Sequence, residues 1–125
     1  MKNTTKFLTI LCVFVGGYAS SAFAGDAVST MAKIVGSLQH FPSDADKAAL
    51  AEIIAGDNSA SIGAVASAIA GISHKVGSAD KKALEAIAAN DAEPADLRKL
   101  AAIVVGVNHI PSADAKTALA ALAGE

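Results

Sequence analysis

Residues 35–57 read VGSLQHFPSDADKAALAEIIAGD, residues 70–91 read AGISHKVGSADKKALEAIAAND, and residues 105–125 read VGVNHIPSADAKTALAALAGE. Superposed, these stretches bring His40, His74 and His109 into register, at separations of 34 and 35 residues. A period of this size marks stacked helical units, each too small to bury its own apolar face. It is close to the tetratricopeptide period, but the aromatic signature of those repeats is missing.

Working outward, four apolar positions precede each histidine in the same phase. They are Val28, Met31, Val35 and Leu38, then Ile62, Val65, Ile69 and Ile72, then Leu97, Leu100, Val104 and Val107. Steps of three and four residues put them on one helix stripe. After each histidine a matched lysine (Lys47, Lys81, Lys116) leads to Leu50, Leu84 or Leu119, and then to Ile53, Ile87 or Leu122. That pattern predicts a second, shorter amphipathic helix. Between the two helices stand Pro42-Ser43, Gly77-Ser78 and Pro111-Ser112. Proline or glycine is expected to end the first helix, and serine to cap the second.

The links Gly56-Asp57-Asn58-Ser59 and Asn90-Asp91-Ala92-Glu93-Pro94 join one repeat to the next. Glycine or asparagine there suits a left-handed helix ending, and Pro94 the first turn of the following helix. The expected fold is all-α, three tandem helical hairpins of repeats 25–57, 58–91 and 92–125, in a short solenoid or a closed six-helix bundle. An open solenoid would leave an apolar end face, which self-association or closure of repeat three onto repeat one would hide.

Residues 1–24 read as a signal peptide. Lys2 and Lys6 supply the positive start, Phe7 to Gly17 the apolar run, and Ala22-Phe23-Ala24 the small-x-small cleavage site. The apolar run is shorter than the roughly 20 residues that span a bilayer. Export is therefore expected, to the periplasm or the medium, with no transmembrane segment in the mature chain. Cys12 would leave with the signal, so the mature domain, residues 25–125, has no cysteine and no disulfide.

Cleavage removes two lysines and no acids, leaving 8 basic against 12 acidic residues, a net charge of −4 with histidine neutral. Such a balance argues against nucleic acid as a partner. Phe41 would be the one aromatic residue left, which excludes base-stacking platforms and aromatic cages. The remaining partners to expect are an envelope protein or a second copy of the chain.

The three histidines form the sharpest candidate site. Neutral imidazoles ligate zinc or copper, or offer axial ligands to a haem. The competing reading places each histidine at a helix end, where His⁺ meets the negative end of the macrodipole. On a continued helix the imidazole would stand about 160° from the centre of the apolar stripe. Layers stacked about 10 Å apart would also keep the three from sharing one ion, so a common site requires a closed, roughly three-fold arrangement. The helix-end reading is preferred on sequence, and metal or haem binding is the alternative.

Other features lead to blander readings. Asp44, Asp46, Asp80 and Asp114 are helix-start acids that the dipole favours. Lys47, Lys81 and Lys116 read as solvated side chains rather than an anion-binding ridge. Gly63, Ser67 and Gly71, four residues apart, suggest a closely packed central helix, with a membrane-active or bacteriocin-like peptide as a remoter reading. No G-x-S-x-G, H-E-x-x-H or glycine-rich phosphate loop is present, and Ser73 beside His74 forms no dyad on a helix. The expected function is thus binding or assembly without catalysis.

Overall fold

A computed structural model describes residues 25–124; the signal-peptide assignment to residues 1–24 lies outside the described residues. Among the described residues the protein is all-helical, with six helices and no strands, only isolated bridges. They are α1 (residues 25–36), α2 (Asp44–Ala55), α3 (Ala60–Ala70), α4 (Ser78–Ala89), α5 (Ala95–Val105) and α6 (Ala113–Leu122).

Alanine-rich composition favours helix throughout, and side-chain caps fix where two of the second helices begin. Ser43 forms a capping box with Asp46: the Ser43 hydroxyl accepts from the Asp46 N–H at 3.1 Å, and the Asp46 carboxylate accepts from the Ser43 N–H at 3.2 Å. Ser112 caps α6 through the Ala115 N–H at 3.1 Å. In the middle repeat the expected register is off by one. Gly77, not Ser78, holds the N-cap of α4 and makes no side-chain cap bond. Counted from the histidine, Gly77 is therefore the counterpart of Ser43 and Ser112, and Val76 of Pro42 and Pro111.

Every stripe residue that precedes a histidine is buried, and Leu50, Leu84 and Leu119 of the second helices join the same core. The α3 stripe runs Ile62, Val65 and Ile69, and the α5 stripe Leu97, Leu100 and Val104. Helices α3 and α5 touch each other as well as their outer neighbours. The first helices thus form the inner layer, and α2, α4 and α6 flank it.

Pairing of helices differs from the expected hairpins. The most extensive contacts are α2 with α3 and α4 with α5, across the repeat boundaries, whereas α3–α4 and α5–α6, within repeats, touch less. Link length explains this. Four residues (56–59) and five residues (90–94) hold antiparallel neighbours together, while seven-residue segments (71–77, 106–112) separate the helices within a repeat. The third such pair is α6 with α1. Ser29 of α1 donates its hydroxyl hydrogen to the Ala123 carbonyl at 3.0 Å, 94 residues along the chain, and Leu119 lies against Gly36. Repeat three is closed onto repeat one, the alternative to an open solenoid.

Close packing of α3 comes from the buried Ala66 and Ala68, not from Gly63 and Ser67. Ser67 is exposed, and a Cβ added at Gly63 would meet nothing within 4 Å among the described residues. Gly63 therefore carries only the entropic cost of glycine in a helix. Gly63→Ala is expected to stabilise the fold by about 0.5–1 kcal/mol. A shift of the denaturation midpoint in the opposite direction would mean that the position is crowded.

Candidate functional site

The chain between the inner and outer helix of each repeat converges at one end of the bundle. Helices α3 and α5 stop at Gly71 and Gly106, three residues before His74 and His109, and α1 stops at residue 36, well before His40. The histidines are not helix-end residues. The macrodipole account of them, and the angular position it assumed, are corrected accordingly.

What replaces it is a ring. The His40 N–H donates to the His109 carbonyl at 2.8 Å, the His74 N–H to the His40 carbonyl at 2.7 Å, and the His109 N–H to the His74 carbonyl at 2.5 Å. Each histidine backbone gives one bond and receives one, so the three repeats close on a pseudo-three-fold axis. Neither Gly56 nor Asn90, the expected left-handed positions, adopts that conformation; both are extended. Apart from Gly124, the positive φ angles among the described residues fall on His40 (78°), His74 (74°) and His109 (71°). For a residue other than glycine this conformation costs on the order of 1 kcal/mol, and it is tolerated where the surroundings over-determine it.

Those surroundings are visible two residues to either side. Leu38, Ile72 and Val107 on the helix side, with Pro42, Val76 and Pro111 beyond, are buried. Each segment is anchored twice, and the histidine between the anchors is forced to the axis while its side chain stays exposed. Phe41, Lys75 and Ile110 follow the histidines around the rim, Phe41 58% and Ile110 49% exposed.

Three imidazoles separated by 34 and 35 residues are thereby brought into contact. Ring centres of His74 and His109 lie 4.9 Å apart with the planes stacked at 14°. His40 stands edge-on to both, at 5.3 Å from His74 and 5.4 Å from His109. As the side chains stand, no group of three or more His, Cys, Asp or Glu among the described residues is disposed to hold a metal ion. Asn108 Oδ1 lies 2.9 Å from His109 Nδ1, within hydrogen-bond distance, a contact that the sequence pattern did not single out.

The remaining candidates stay apart from this end. Lys47, Lys81 and Lys116 are exposed, each one turn into an outer helix. A shallow cavity between α1 and α2 is lined by Asp26, Glu52 and Asp57, and another, between α1 and α6, by Lys33 and Lys116. Neither includes a histidine. Among the described residues, no helix is long and apolar enough to cross a membrane. No protein-family model matches the chain, and no curated protein or solved structure matches it. The fold and the site together define an all-α protein with a three-histidine apex.

Proposed function

We propose that this is an exported, non-catalytic binding protein that takes up one divalent zinc or copper ion at His40, His74 and His109. The observation that carries the reading is the set of ring-centre separations, 4.9 to 5.4 Å, among three exposed imidazoles contributed by equivalent positions. Three imidazoles bound to one tetrahedral ion through Zn–N bonds of about 2.0–2.1 Å also have ring centres about 5 Å apart. The rings thus need reorientation rather than translation.

Donor chemistry supports the choice of ion. Imidazole suits zinc and copper(II), whereas copper(I) prefers thiolate or thioether sulfur, and Met31, the one methionine of residues 25–125, is buried in the core. A haem is a poorer fit. Rings about 5 Å apart leave no room for a porphyrin between them, and Phe41 and Ile110 are the rim's large apolar side chains. Backbone closure favours the reading too, since the ring of three left-handed histidines brings the backbones that carry the ligands together before the ion arrives, leaving the side chains to turn.

Isothermal titration of the protein with zinc, and separately with copper(II), tests this. One ion per chain is expected for the wild type, and none for the variant carrying His40→Asn, His74→Asn and His109→Asn. Asparagine is chosen because it tolerates positive φ, so the backbone ring is kept. Equal uptake by wild type and variant would overturn the reading. One ion per two chains would instead indicate that a second copy completes the coordination across the Phe41 and Ile110 rim.

A further inference from the structure

We infer that Asn108 is a positioning residue that selects the tautomer of His109, so that Nε2 of this ring is the atom offered to a metal ion. The inference rests on the three-histidine reading and specifies how one of its ligands is prepared. Its basis is the 2.9 Å contact between Asn108 Oδ1 and His109 Nδ1. A carboxamide oxygen only accepts, so the proton of the neutral imidazole must lie on Nδ1, and the lone pair lies on Nε2. Ligating histidines are commonly held by an acceptor on the nitrogen that does not bind the ion, which fixes the ring and raises its basicity.

Position in the repeat strengthens the case. The residue before each histidine is Gln39, Ser73 or Asn108, polar and exposed in all three repeats. Among the described residues, only Asn108 makes a side-chain bond to its histidine. Its side chain makes no other bond to a described residue. The apex therefore has one ring held in place, that of His109, with His74 stacked parallel to it at 4.9 Å and His40 edge-on to both. Uptake is expected to start at His109 Nε2 and to recruit the other two rings by rotation.

Two measurements on the metal-free and the zinc-titrated protein separate this inference from the reading beneath it. Nitrogen-15 NMR of the metal-free wild type, above the pH range in which imidazole is protonated, should show His109 with its proton on Nδ1. Asn108→Leu, similar in size but without an acceptor, should move His109 toward the Nε2–H form and weaken zinc binding about 10- to 100-fold. Asn108→Asp, with a stronger acceptor, should keep the Nδ1–H form and bind zinc at least as tightly as the wild type. An unchanged melting temperature for Asn108→Leu would show that the loss is not one of fold. A wild-type His109 protonated on Nε2, or zinc affinity unaltered in Asn108→Leu, would overturn the inference. An Nδ1–H tautomer in a protein that takes up no zinc would support the role of Asn108 and overturn the metal reading alone.

Discussion

Leu84→Ala is expected to lower the stability of the domain by about 2–5 kcal/mol, read as a reduced denaturation midpoint at unchanged slope. Leu84 is fully buried and occupies the α4 position equivalent to Leu50 and Leu119, which are buried in the same core. Truncation removes the transfer free energy of the lost methyl groups and leaves a space that close-packed neighbours fill only in part. Because the core is one continuous cluster of all three repeats, the loss is felt across the molecule rather than in one hairpin. Domains of this size are stable by only about 5–15 kcal/mol in total, and residues 25–125 contain no cysteine that could add a disulfide. A loss below about 0.5 kcal/mol would place Leu84 outside the core.

On the three-histidine proposal, zinc supplied at about a hundred times its dissociation constant should stabilise the folded wild type by up to about 2.7 kcal/mol, the value for an ion that binds only the folded chain. The effect should be pH-dependent with a definite sign. A metal binds neutral imidazole, so protons compete with it: stabilisation grows as the pH rises and fades as it falls. Thermal melts with and without zinc should diverge at about pH 7.5 and nearly coincide at about pH 5.5. The variant with asparagine at all three histidine positions should melt alike with and without zinc at both. A zinc effect of the same size in that variant would locate the ion elsewhere. Equal effects at the two pH values would show that imidazole is not the ligand.

Much of the architecture was legible from periodicity. Val28 to Leu38, Ile62 to Ile72 and Leu97 to Val107 recur at three- and four-residue steps, and every position of those stripes is buried. Burial of one helix face leaves its spacing in the chain, so the inner helices and the core leucines of the outer helices could be read directly. Local chemistry was legible where a side chain acts on its own backbone, as with the Ser43 and Ser112 caps. It misled where glycine stands in for such a residue. Gly77 holds the N-cap without a side chain, and the serine that follows drew the register one residue forward.

What sequence alone determined was the set of parts: an all-α chain, a three-fold internal repeat, and three histidines at one phase of it. Which helices pair, and whether the array closes, depend on contacts between residues far apart in the chain, such as Ser29 with Ala123, and no local period encodes them. The same holds for the histidines. Helical phase extrapolated past Gly71 and Gly106 turned each imidazole outward and kept the three apart, because it assumed that the helix continued. Only the tertiary structure decided otherwise. The chain leaves the helix, its flanking apolar residues sink into the core, and the left-handed histidines between them satisfy their backbone N–H and C=O groups in one another, which draws three distant imidazoles to a single axis.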